Sequence, residues 1–366
     1  MRARIIPAIL SVLCLACNES PSSPVAPGEG GRLAGLIAPG EMTVQALPIP
    51  KGWQGAPKTV SGNGAVFATN DGLASRPLVA WIPPYTSQPL VVATTGAVGA
   101  AGAANANGDV VSFDPVGSGP SGARLQVTPT TWTFVADAET YPILDARVIN
   151  DNREMAGYVR VSLATGGTEL RAAYFPAPGA EPILLPKPGI GTFGGTMVNG
   201  MNNAGDIVGF AIETVGGTTY LRAALWRRLD ATNWSVELLP PHGLAASSNA
   251  LGINDLGQIT GGGDGLVRWT PDGSGGWTRE QIAQSGSATQ IDACGRVVGT
   301  VTIGKNDRAF VWDGDLNLLP LPGSATKSGG NDITTDLTTG RGVIVGWASK
   351  GGLPSYPVRW TIPGCP

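Results

Sequence analysis

Past residue 43 the chain alternates short apolar runs with polar, glycine-containing turns, and no run sustains a helical period. The runs close on an aromatic residue at Trp81, Trp132, Phe175, Trp226, Trp269, Trp312 and Trp360. A turn phrase precedes each run. It is clearest as Ile253-Asn254-Asp255-Leu256-Gly257-Gln258-Ile259-Thr260-Gly261 and Met201-Asn202-Asn203-Ala204-Gly205-Asp206-Ile207-Val208-Gly209, with further copies ending at Gly157 and Gly299. Worn copies end at Ala68, Ser112 and Gly346. Ala68 to Gly346 spans 278 residues in six steps and Trp81 to Trp360 spans 279, so both columns share a period of about 46. Individual steps range from 38 to 52. Two columns that stay in phase define a repeat, and a period of this length signals a propeller or solenoid.

Each unit reads as four strands. In the best-preserved copy these are Asn249 to Asn254, Gln258 to Gly261, Leu266 to Trp269 and Trp277 to Ala283. Asn and Asp bond back to nearby backbone and Gly accepts positive φ, so the Asn-Asp-x-Gly phrase is a hairpin turn. Small residues in the first strand suit a crowded axis. The expected fold is all-β: a seven-bladed β-propeller of four-stranded blades. A phrase at the exits separates this from an open solenoid. Leu184-Leu185-Pro186-Lys187-Pro188-Gly189 and Leu318-Leu319-Pro320-Leu321-Pro322-Gly323 end their units, the same phrase stands early as Ala46-Leu47-Pro48-Ile49-Pro50, and the last unit lacks it. A strand spare at one end and missing at the other predicts that 43–49 complete the blade built from 330–362, closing the ring and removing two sheet edges.

The N-terminus reads as an address. Met1-Arg2-Ala3-Arg4 is cationic, Ile5 to Ala16 is apolar, and Leu13-Cys14-Leu15-Ala16-Cys17 closes the run. Twelve apolar residues are too few to span a bilayer and match a signal segment. The stretch resembles a bacterial lipoprotein signal, with Cys14 where that family usually has Leu. The resemblance implies a signal peptide over 1–16, lipidation of Cys17 and, since Asn18 follows in place of Asp, an outer-membrane destination; a plain secreted protein is the alternative. Pro, Ser and Gly dominate 17–42, a flexible tether ahead of a propeller domain over 43–366.

Charge narrows the partners. Twenty-four basic and 27 acidic side chains give a net charge of −3, with no basic excess to neutralise a phosphate backbone, so nucleic acid is excluded as a partner. Besides Cys14 and Cys17 the cysteines are Cys294 and Cys365, in adjacent units of a chain bound for an oxidising compartment, and a disulfide between them is expected.

The repeat resembles that of the bacterial extracellular HAF-repeat proteins, whose units combine this turn with a His-Ala-Phe-x-Trp strand and a Leu-Pro-Gly exit. Arg308-Ala309-Phe310-Val311-Trp312 and Arg222-Ala223-Ala224-Leu225-Trp226 match the strand, with Arg in place of His. The resemblance implies a secreted, propeller-like structure and supplies no catalytic residue.

The chemical motifs are weak. Gly189-Ile190-Gly191-Thr192-Phe193-Gly194 fits a dinucleotide fingerprint in spacing, but a repeat strand follows it instead of a helix. Thr270 to Trp277 approaches one copy of the Asp-box hairpin of sialidase-type propellers. His242, the only histidine, sits in a turn without sequence partners, and the Asn-Asp pairs lack the alternation of a calcium loop, so no metal, cofactor or catalytic set is nominated. The Trp column reads as core. Trp226 with Trp234, and Trp269 with Trp277, share a spacing of eight that suits pairing across a hairpin. Residues outside the repeat are the binding candidates: Lys51, Trp53, Phe193, His242 and Lys327, all near exits on one propeller face. The expected function is a surface-tethered, non-enzymatic binding or scaffold module for a glycan, peptide or envelope protein. A propeller hydrolase or lyase with ionisable groups converging at the axial mouth is the alternative.

Overall fold

A computed structural model describes residues 41–366 apart from 72, 74–76, 94–99, 114–122, 129–130, 135–143, 190–192, 241–246, 264, 352 and 366. Cys17, most of the tether and His242 lie outside the described residues.

Seven four-stranded antiparallel sheets form. Six are cut from consecutive stretches of chain: blade 1 (57–93), blade 2 (100–134), blade 3 (144–184), blade 4 (193–238), blade 5 (249–283) and blade 6 (286–318). Blade 7 is composite, joining Lys327–Thr335, Arg341–Ser349 and Tyr356–Gly364 to the N-terminal strand Thr43–Ala46. Val44 pairs with Trp360 and Ala46 with Val358. The boundaries expected from the sequence need correction. The closing strand ends at Ala46 instead of 49, because Pro48 and Pro50 have no N–H to give a ladder; one more bond, Leu47 N–H to Pro357 O at 3.0 Å, follows it. The three strands it joins span 327–364 instead of 330–362.

First strands of neighbouring blades contact one another around an axis. Antiparallel order then puts all first-to-second and third-to-fourth turns on one face, the turn face. Second-to-third hairpins and blade-to-blade exits share the other, the exit face.

No blade owns a core. Each of the seven buried clusters mixes side chains of two adjacent blades, as where Tyr174 and Leu185 of blade 3 and its exit meet Val198, Ile207 and Trp226 of blade 4. The repeat columns are the stitches of these seams. Trp226 donates its indole N–H to Pro186 O of the preceding exit at 2.8 Å, Trp360 to Pro320 O at 2.8 Å and Trp81 to Pro48 O at 2.7 Å. The leucine before that proline is buried and bonds back to its own third strand, as Leu185 N–H does to Ala172 O. Arginines standing where the resembled repeat has His brace the same exits: Arg308 donates to Leu319 O and Arg171 to Leu185 O, both at 3.0 Å.

Each first strand carries a register shift against the second, as between Val198 and Gly200 or Gly330 and Asp332. An extra residue bends the strand and re-aims the side chains after it. The bulge also explains the closing glycine of the turn phrase, since a Cβ on Gly209 would overlap Met197 O.

Candidate functional site: the axial cavity on the turn face

The turn asparagines do two jobs each. Asn150 Oδ1 accepts the N–H groups of Asn152 and Glu154 at 3.1 and 2.9 Å, which shapes its own turn. Its Nδ2 donates to Asn202 O in blade 4 at 3.3 Å. The relay runs on from Asn105 to Asn150 O, from Asn202 to Asn254 O and from Asn254 to Asp292 O, at 3.1, 3.2 and 2.9 Å. The next position adds a second tier: Asp151 Oδ1 accepts Ala106 N–H at 2.7 Å and Asp255 Oδ1 accepts Asn203 N–H at 2.8 Å. The Asn-Asp phrase is therefore a set of clasps between blades.

The relay stops at Asp292, whose side chain carries no N–H to pass it on. There Arg296 takes over, pairing with Asp292 at 2.7 Å and donating to Pro363 O of blade 7 at 2.7 Å. A Cys294–Cys365 disulfide spans the same seam. These two sulfurs group with Asp292 in space, but sulfurs bonded to each other offer no thiolate to a cation.

Inside this ring lies a cavity of about 280 Å³ to which all seven blades contribute. Its wall is formed by the ends of the first strands and the turns: Thr59, Val148, Gln290 and Thr335 just past the bulges, Asn202, Asn203 and Ala293 at the turns, Leu337 at the rim. Among the described residues four carboxylates, Asp151, Asp255, Asp292 and Asp332, line it and no Lys, Arg or His does.

Asp332 is the unusual one. Its Oδ2 accepts Thr59 Oγ1–H at 2.7 Å and Val60 N–H at 2.9 Å, tying blade 7 to blade 1 across 273 residues of sequence. Thr59 Oγ1 in turn accepts Ala104 N–H of blade 2 at 3.0 Å. Burial pushes the Asp332 carboxyl up to about 6, against the opposing effect of these donors. A carboxyl raised on folding favours the protonated fold, so its contribution to stability is complete below about pH 4 and is lost as pH rises through about 6. Asp332→Asn is expected to abolish this component: the gap in urea midpoint between variant and wild type shifts in the variant's favour from pH 4 to 7. A pH-independent gap would refute the assignment.

The sequence candidates fall elsewhere. Trp53 is buried, stacked edge-on against Trp81 at 5.2 Å with its N–H on Gly55 O. Lys51 is exposed, while Phe193 and Lys327 are half-buried at the starts of blades 4 and 7. All are on the exit face and none lines the cavity.

Two features escaped the sequence reading. Asp230 builds a turn like that of Asp272, each carboxylate gathering the N–H and hydroxyl of the residue two ahead (Thr232, Ser274), so the Asp-box-like turn occurs twice. The eight-residue Trp pairs are not partners: Trp234 pairs with Arg228 and Trp277 with Pro271. Trp234 instead packs on Tyr174 of blade 3 at 4.7 Å, beside an Arg228–Glu154 ion pair at 2.7 Å. Tyr, Glu and Arg together invite comparison with a nucleophile site. Tyr174 is 1% exposed, and burial and then the Glu154 carboxylate raise its hydroxyl to about 12, so the trio is a seam brace.

No family model matches the chain, and no curated protein matches it in sequence. Similarity is to solved structures. The β-propeller domain of the Trilobed protease from Pyrococcus furiosus superposes with a TM-score of 0.53 at 12% identity over 85% of this chain and 96% of that one. A catalytically inactive virginiamycin B lyase from Staphylococcus aureus with quinupristin gives 0.50 at 12% identity, over 88% and 99%. Pyrococcus horikoshii acylaminoacyl peptidase gives 0.50 at 14% identity over 83% of this chain and half of that one. At such identities the likeness defines the class of fold, a β-propeller.

Proposed function

We propose that this chain is an extracytoplasmic binding module, tethered to the outer membrane by lipid on Cys17, whose ligand enters the axial cavity from the turn face. One observation carries the reading. The cavity is the point where all seven blades converge, yet each carboxylate on its wall already serves the ring: Asp151 and Asp255 as acceptors between turns, Asp292 on Arg296, Asp332 on Thr59 and Val60. Groups committed to clasps hold position and present their remaining lone pairs as fixed acceptors. They are poorly placed to move protons, which favours recognition over turnover. A cavity of this size sits at the lower end of ligand pockets and takes a single sugar ring or side chain of a glycan, peptide or envelope protein.

Ala293 stands exposed at the mouth, so Ala293→Trp fills the entrance without entering a seam. On a glycan and envelope-protein array the wild type is expected to capture a ligand and the variant to lose it at least tenfold, with unchanged urea midpoints. Equal capture by both would place recognition elsewhere. The address is tested separately: Cys17→Ser should move the protein from the membrane to the soluble fraction, and continued membrane retention would remove the lipid anchor.

A further inference from the structure

The two faces of the ring differ in chemistry. The first turns alone give the turn face Asp109, Asp151, Asp206, Asp255, Asp292 and Asp336, and no lysine lies on that face. Five of the chain's six lysines sit on the exit face: Lys51 and Lys327 by the exits, Lys305 and Lys350 in hairpins, and Lys187, which is held in an ion pair with Glu169 at 2.8 Å. The sixth, Lys58, is within the first strand of blade 1.

The hairpins of the exit face have a second property. Among the described residues an aliphatic side chain stands exposed at five of these hairpins: Leu73, Leu163, Val215, Ile303 and Leu353, between 38% and 61% accessible. Ile303 and Lys305 share one hairpin, and Lys350 and Leu353 share another, closed by the bond from Leu353 N–H to Lys350 O at 2.9 Å. None of these five side chains belongs to a seam core.

We infer that the exit face docks on an anionic phospholipid surface, the hairpin aliphatics entering the interface and the lysines meeting the headgroups. Spacing and charge select this occupant over a protein. Protein interfaces draw their affinity from a contiguous buried centre, whereas these prongs are single residues one blade apart. A lipid surface accepts separate prongs, each burying its own apolar area, and lysine stems lie along that boundary with the ammonium in the headgroups. The acidic turn face is repelled by the same surface, so docking fixes orientation, with the axial mouth turned toward solvent. The inference is independent of the axial ligand and of lipid on Cys17.

The test uses residues 41–366, which contain all 28 strands and every seam core. Co-sedimentation is measured with vesicles of phosphatidylcholine alone and with about one-third phosphatidylglycerol. Binding is expected only to the anionic vesicles and to weaken with salt. The Lys305→Gln/Lys350→Gln pair should weaken it roughly fivefold per lysine. Leu163→Asp/Leu353→Asp should abolish it at an unchanged urea midpoint, while Leu229→Ser/Leu256→Ser on the turn face leaves it intact. Equal binding to neutral vesicles, wild-type binding by the tip variants, or recruitment that needs envelope protein and fails with protein-free vesicles would each overturn the inference.

Discussion

Trp226→Ala is expected to lower the unfolding free energy by about 3–5 kcal/mol, the range for emptying a buried aromatic site. The side chain is fully buried in the seam between blades 3 and 4, against Tyr174, Leu185, Val198 and Ile207. Two losses add: the packing of an indole, and the bond from its N–H to Pro186 O, which leaves that carbonyl unmatched. Trp226→Phe separates them. It keeps most of the ring and removes only the donor, so its cost should be about 1–2 kcal/mol. Urea denaturation followed by far-UV circular dichroism checks both. A phenylalanine variant as damaged as the alanine one would show that the hydrogen bond, and not the packing of the ring, fixes the column, and one as stable as wild type would show the reverse.

A chain beginning at residue 47 should lose about 3–6 kcal/mol, a large part of what holds an ordinary fold together. It forfeits the ladder from Thr43 to Ala46 and the packing of Met42 and Val44 on the seam of blades 6 and 7. The strand Tyr356–Gly364 would then present an open edge, so oligomers are expected by size-exclusion chromatography. A synthetic peptide of residues 41–50 added in trans should restore the monomer by strand addition. A truncated chain that stays monomeric with an unchanged midpoint would contradict the closure.

The four-stranded unit was legible in the sequence because its markers have steric causes. Gly209 faces a carbonyl, Asn202 must cap its own turn, and Trp226 must reach a proline carbonyl, so each leaves a column one residue wide. The displaced Leu-Pro phrase at Leu47-Pro48 marked the shared blade for the same reason, although prolines cut the strand short of 49. The site was less legible. Residues outside the repeat stand out as binding candidates because the fold does not demand them, and Lys51, Trp53, Phe193 and Lys327 all lie on the exit face. The cavity is instead walled by residues of the repeat itself, because a ring brings one position from every unit to one axis. Asp332 was hidden for another reason. No repeat column marks it in Gly329-Gly330-Asn331-Asp332-Ile333, and the bulge before it aims the carboxylate across the seam.

The shared blade also decides how the molecule bears a pull. The chain ahead of Glu41 leads straight into the clasping strand, which is bonded on one side only, to Tyr356–Gly364. Tension from that direction therefore loads this one-sided fastening first. Behind it, the Cys294–Cys365 crosslink holds the far end of Tyr356–Gly364 to blade 6. Release of the latch would thus bare the edge of Tyr356–Gly364, while the crosslink keeps that strand fastened to blade 6.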